Sequence, residues 1–347
     1  MASDAIYHHL IPQTYMKPWC FGEKTIWVYD KSLQEWQERN IEKICGIKYY
    51  HSIRAGSIYT TPKALNEIWG FLTPYHISLD GVPLDTLEKL NEKYSSFDSW
   101  EIYYPKGAKV NKADRNKIKS AIEQAKFNDI EEQWSVQFEN GWADLIADIN
   151  QALIDIHGKK PIALTEEAAS ILMRYFVMFN WRSFSGNEQF NETLQAVDSI
   201  IQLSSISIPE TERQLSLCGT ALDEMRHNLL IKQFDDYQSG KGLLFEHQKF
   251  LQKNCTFVFH LAPQGHSFIT SDNPCFSFTR ADGLIEPFLV ALPQLAFSLV
   301  KKDPNSPYNY TICELSESEL HKYNAQIFSH SVNLILNNRQ IDISSLQ

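Results

Sequence analysis

The chain of 347 residues predicts an α+β fold: a mixed sheet with a helical block beside it. Two observations carry that prediction. β-branched and aromatic runs lie at both ends, over about 7–60 and 255–338. Between them, from 113 to 251, apolar residues recur at the spacing of buried helix faces. Strands that bracket a helical middle predict one domain over 1–347, with strands from the two ends sharing a sheet.

Pro12 fixes φ at the head of a short helix or turn. Ile26 to Lys31 reads as a strand entering a turn, Trp36 lies on the returning strand, and Ile44 to Tyr50 is a further short strand. Thr61-Pro62-Lys63 opens a helix, and Leu84, Leu87 and Leu90 keep helical spacing up to Tyr94. Ser95 to Asn111 is turn-rich and reads as a surface loop, followed by a polar helix from Ala113 to Glu132. Trp142, Leu145, Ile146, Ile149, Leu153 and Ile156 share one helix face, which Gly158 and Pro161 end. Thr165 is the N-cap of the next helix, which is apolar almost all round as far as Arg182 and so reads as buried. Three more helices follow, at about Asn187–Leu203, Pro209–Tyr237 and Leu243–Leu251. Strands return at 255–261, 266–270, 276–279, 284–291, 295–300 and 310–313, with a hairpin turn at Ala281-Asp282-Gly283. Ser316 and Glu319 form a capping box for the last helix, and a final strand follows it.

Composition narrows the class. The hydrophobic share of 43% and charged share of 21% are those of a soluble globular protein. No apolar run reaches the length of a membrane span, and Met1 to Tyr7 carries no secretory pattern, so a cytoplasmic location and no membrane partner are expected. The six cysteines stand singly, without a C-x-x-C pair. A net charge of -10 opposes loose adhesion to nucleic acid. One stretch runs against it. Lys106, Lys109, Lys112, Arg115, Lys117, Lys119 and Lys126 face only Asp114 and Glu123, which reads either as a solvated helix face or as a phosphate-contacting arm. Glycine-rich phosphate loops and the Gly-x-Ser-x-Gly elbow are absent.

The residues with chemistry concentrate in Phe268-Ile269-Thr270-Ser271-Asp272-Asn273-Pro274, where a strand runs into a tight turn. Asx side chains favour such turns by bonding nearby backbone. The stretch reads either as a structural Asx-Pro turn or as a carboxylate and an amide facing a pocket. His8 and His9 are adjacent, so on a strand their rings take opposite sides. His260, His266 and His8 lack metal-ligand spacing. Arg182 ends an apolar helix, where it either caps carbonyls or meets an anion. Asn324 is an amide on the apolar side of the last helix, with the Asp272 turn as a possible partner.

Two of these stretches resemble a bacterial domain family catalogued only as of unknown function. Its members open with His-His-(aromatic)-(Val/Ile)-Pro-x-x-Tyr-Leu-(Arg/Lys), matched here by His8-His9-Leu10-Ile11-Pro12-Gln13-Thr14-Tyr15-Met16-Lys17. They close with Phe-x-Thr-Ser-Asp-Asn-Pro, matched by 268–274, so the resemblance spans roughly 7 to 335. Leu10 and Met16 depart from the pattern, and Ser183-Phe184 stands where the family often has Thr-Pro after its arginine. The resemblance implies phage defence, with one branch excising modified bases from phage DNA. On that basis the expected function is a DNA N-glycosylase without metal or cofactor. Asp272 would stabilise the sugar cation or activate water, Asn273 would position water or base, and His8 would handle protons or phosphate. His9, Tyr15, Arg182, Ser271 and Asn324 would line the pocket. Tyr15 and Trp27 would offer stacking faces, and Lys106, Lys109, Lys112 and Arg115 would contact DNA backbone. Two alternatives stand beside it: a metal-dependent nuclease with His8, His9 and Asp272 as ligands, and a non-catalytic phage-sensing module.

Overall fold

The chain begins with Tyr7–His9 (β1), Gln13–Met16 (α1), Thr25–Asp30 (β2), Glu35–Asn40 (β3) and Gly46–Lys48 (β4). It continues through Ile53–Arg54 (β5), Pro62–Trp69 (α2), His76–Leu79 (β6), Val82–Pro83 (β7), Leu87–Glu92 (α3), Glu101–Tyr103 (β8), Lys112–Gln124 (α4) and Lys126–Phe127 (β9). The helical stretch holds Asp129–Trp134 (α5), Asn140–Ile154 (α6), Glu166–Arg182 (α7), Glu188–Ile201 (α8), Ala221–Gln238 (α9) and Gly242–Asn254 (α10). Last come Cys255–Leu261 (β10), Thr270–Ser271 (β11), Cys275–Thr279 (β12), Ile285–Leu292 (β13), Leu295–Lys301 (β14), Tyr310–Glu314 (β15), Glu317–His330 (α11) and Leu334–Asn337 (β16). This computed structural model describes residues 7–154, 165–183, 188–210, 213, 215, 217–280, 283–303 and 310–346. The helix stop at Gly158 and Pro161, the turn residues Ala281 and Asp282, and the loop over 304–309 lie outside the described residues.

The fold is α+β, with several small sheets and many helices. Contacts group the chain into two compact units: residues 1–48, 134–193 and 241–347 form the first, residues 49–133 and 194–240 the second. In the first unit, strands from both chain ends form an antiparallel sheet in the order β11-β16-β2-β3. A five-stranded sheet, β12-β13-β14-β10-β15, is built from C-terminal strands alone. It is mixed because β15 pairs parallel with β10 while its other pairings are antiparallel. One face carries Phe257, Phe259, Phe297 and Leu299, all at most 2% exposed. Helix α7 is buried along most of its length, as its all-round apolar sequence requires, and the Thr165 hydroxyl caps it by accepting from Ala168 N.

The second unit holds the pair β5-β9, the sheet β7-β6-β8 and helices α2, α3, α4 and α9. Thr61 caps α2 and Thr86 caps α3 through their hydroxyls. Asn91 is a buried amide with its bonds filled: it accepts from Gly56 N and Trp69 Nε1 and donates to Ser57 O.

Several sequence expectations are corrected here. The segment read as a loop over Ser95–Asn111 contains β8, because Ile102 is a core residue paired opposite Ile77. The polar helix expected up to Glu132 stops at Gln124, where Lys126–Phe127 extends to pair with Ile53–Arg54. The helix expected from Pro209 begins only at Ala221. Residues 206–208 instead bond extended against 219–221, and Thr220 with Asp223 makes the capping box. The strand expected over 266–270 shrinks to Thr270–Ser271, since Phe268 N bonds Pro293 O and Ile269 N bonds the Asn324 side chain.

Candidate functional site

The Thr-Ser-Asp-Asn-Pro corner is interior. Thr270 and Ser271 are fully buried, Asp272 is 1% exposed and Asn273 4%. The Asp272 carboxylate faces the turn between α11 and β16. Its Oδ1 accepts from Val332 N at 2.9 Å, and its Oδ2 from Asn333 N at 2.8 Å and Leu334 N at 3.1 Å. Burial pushes its pKa up, while these three amides and the Lys31 charge pull the other way. Lys31 Nζ holds the same turn by donating to Phe328 O, Ser331 O and Ser331 Oγ. Asn273 Nδ2 donates to His330 O at 2.9 Å, and Ser271 Oγ accepts from Asn273 N. Both Asp272 oxygens are thus occupied by backbone.

The other sequence candidates fall as follows. Tyr15 is fully buried among Trp19, Trp142 and Phe179, with its hydroxyl 2.5 Å from Thr270 Oγ1 and donating to Val290 O. The two chain ends therefore do meet, through Tyr15, Trp19 and the β2–β16 pairing, but as packed core. His8 is buried on β1, and His9 turns to the opposite side, against the Tyr7 ring. Trp27 stacks on Phe21. Arg182 meets the protein's own anion, Glu139, at 3.0 Å and lies over the Trp134 ring. Asn324 ties down the strand approaching the corner, accepting from Ile269 N and donating to Ser267 O. In the second unit, Arg115 donates to the carbonyls of Phe97 and Trp100, and Lys109 pairs with Glu101. Lys119 pairs with Asp98 and Lys117 with Asp114, while Lys106 and Lys112 are exposed with no partner among the described residues.

A different constellation stands in a pocket of about 490 Å³ on the remaining face of the five-stranded sheet. Strand alternation assembles it. Register sets Phe278 opposite Glu286, Phe288 opposite Ser298, Ser298 opposite Val258, and His260 opposite Cys313, so these side chains share one face. Helix α11 roofs that face with Tyr323. Its ring stacks on Phe288 at 4.9 Å and stands edge-on to Phe278 at 5.9 Å, with the His260 ring 5.0 Å away. Exposed Glu319 and Lys322 also line the pocket.

Glu286 is the centre of this cluster. It is 4% exposed; its Oε2 lies 3.3 Å from Arg280 Nη1 and its Oε1 3.6 Å from His260 Nε2. Burial raises its pKa, but the neighbouring His260 and Ser298 side chains and the charge of Arg280 outweigh that and hold it below the usual glutamate value. Ser298 Oγ is 2.9 Å from His260 Nε2. Glu286 Oε1 is buried and has no hydrogen-bond partner among the described residues. His260 Nδ1 is buried and has no hydrogen-bond partner among the described residues. Burial and the Glu286 charge push the Tyr323 phenol well above its ordinary value, so it stays a proton donor. A deprotonated carboxylate in a mostly apolar, aromatic-walled pocket has the make-up of a small-molecule site. Of these residues only His260 drew attention in the sequence. Glu286 was legible as a charge at the parity of Phe288 and Val290 in an otherwise buried strand.

The fold and this pocket define an α+β protein with a carboxylate-bearing site on a mixed sheet. The chain belongs to the family described as Protein of unknown function (DUF4238), whose model matches residues 7–340. No curated protein and no solved structure matches it.

Proposed function

We propose that the chain is a hydrolase of the N-glycosidic bond of a base extruded from DNA, with the sheet-face pocket as its reaction site. Glu286 is the observation that carries the reading: a buried carboxylate, kept ionised, beside two aromatic walls. The extruded base packs against Tyr323 and Phe278. As the bond from the sugar C1′ to the base nitrogen breaks, the sugar gains positive charge, and Glu286 faces it or orients the attacking water. Water oxygen bonds to C1′, one water proton leaves, and the departing base takes up a proton. His260 and Ser298 position the carboxylate. Asp272 instead fixes the turn that anchors α11, the roof of the pocket. The viral origin of the DNA and the defence role rest on the motif resemblance alone. The nuclease alternative draws no support from its ligand set, since His8 and His9 face apart and both Asp272 oxygens accept backbone amides.

The test incubates purified protein with base-modified and unmodified phage DNA and counts alkali-labile sites, with and without EDTA. Chelator-insensitive sites are expected, and Glu286→Gln is expected to lower their rate about 100-fold, as loss of one transition-state electrostatic contact does. Sites formed equally fast by Glu286→Gln would remove this carboxylate from the mechanism. No sites from any DNA would remove the glycosylase reading.

A further inference from the structure

The second unit carries a small sheet, β7-β6-β8, with one open face. Register sets Ile77 opposite Ile102, His76 opposite Tyr103 and Ser78 opposite Glu101. Alternation turns the two isoleucines inward, where both are buried, and leaves exposed His76 and half-buried Tyr103 on the other face. Beyond β8 the chain doubles back. Tyr104 N donates to Ala108 O, Gly107 N donates to Tyr104 O, and Lys109 bridges to Tyr103. His76, Tyr103 and Lys109 therefore stand in one row across the sheet, with Lys109 Nζ 5.8 Å from the centre of the Tyr103 ring. We infer that this face binds single-stranded DNA, a reading independent of the pocket in the first unit.

Aromatic surface and positive charge coincide there. A cleft of about 400 Å³ opens beside the row, lined by Tyr75, His76 and Tyr103. The Tyr75 ring lies 6.0 Å from that of Tyr104, whose hydroxyl is held by Asp114 at 2.5 Å, so the tyrosine wall is anchored. Lys106, in the turn after β8, and Lys112, at the start of α4, are exposed with no partner among the described residues. A run of lysines alone is equally the mark of a solvated face. The tyrosines beside it decide the matter. Bases stack on aromatic rings while lysines meet the phosphates, an arrangement open to a single strand and closed to a duplex, whose bases are already stacked on one another. The acids on this side leave that charge in place: Glu101 is engaged by Lys109 at 3.4 Å and Asp85 by Lys89 at 2.7 Å. The same pairings occupy the carboxylates that a ribose 2′-hydroxyl would seek, so the strand is DNA rather than RNA.

Fluorescence anisotropy of a labelled oligodeoxycytidylate, titrated with the full chain at several salt concentrations, tests the inference. Oligocytidylate, which differs only in its 2′-hydroxyls, and a DNA duplex serve as parallel probes. The deoxy strand is expected to bind tightest, with an affinity that falls as salt rises. Tyr103→Ala should weaken it about tenfold, whereas Tyr103→Phe, which keeps the ring, should not. Replacing Lys106 and Lys112 together by alanine should lower the salt slope by about 1.4, from two lost phosphate contacts on a single strand. A thermal melt of each variant reports folding separately. No binding at low salt, equal or tighter binding of the duplex or of oligocytidylate, full affinity in a folded Tyr103→Ala, or an unchanged salt slope in the lysine variant would each overturn the inference.

Discussion

Three amide protons on Asp272 decide what its replacement does. Asp272→Asn must turn an amide nitrogen toward at least one backbone donor, leaving buried groups unpaired at about 1–3 kcal/mol each. The variant is expected to lose roughly 3 kcal/mol of stability, read as a lower Tm, with turnover per folded molecule retained. Lost activity at an unchanged Tm would return Asp272 to the chemistry. His227 governs acid behaviour in the second unit. It is buried with Nε2 2.7 Å from Tyr50 O, and burial lowers its pKa from 6.5 to about 4. The folded state therefore disfavours the proton that the unfolded chain binds below about pH 6.5. Its contribution is complete above that pH and is lost as pH falls toward 4, about 3 kcal/mol over the full shift. Denaturant titrations from pH 7 to 4 should show the decline, and His227→Gln, which keeps a donor without the titration, should flatten it. An unchanged slope in that variant would discount the histidine.

Elements were legible where local chemistry and tertiary pairing agree. The Ser316–Glu319 capping box and the Thr165 cap form as their sequences require, and β10 spans the 255–261 predicted for it. Asp80-Gly81 is a hairpin signal in the sequence. Both residues take positive φ, 51° and 77°, and turn β6 into β7. No local signal marks the end of α4 at Gln124, because β9 exists only through its pairing with β5. The site was legible in part for the same reason. The corner that fastens α11 and β16 stands out in the sequence, and so does His260. Glu286, Ser298 and Tyr323 converge only through the register of three strands and one helix, which no single stretch displays.

At the scale of the whole molecule, each compact unit is discontinuous in sequence. The first unit needs residues from both ends, since β2 lies between β3 and β16. A chain cut before Leu334 loses β16, the partner of β2 opposite β3, and the Leu334 amide that donates to Asp272. Such a truncation is expected to lose cooperative unfolding of the first unit, measured by near-ultraviolet circular dichroism; a native spectrum would show that β16 is dispensable.

That strand order also dictates a schedule. A ribosome releases β2 and β3 before the partner on their other edge, which follows only after α11. Until β16 emerges the β2 edge therefore carries unpaired N–H and C=O groups, open to any extended peptide nearby. Overproduction in fast-translating cells should drive this protein into insoluble deposits more readily than slow, cool expression does, with the early hairpin as the seed.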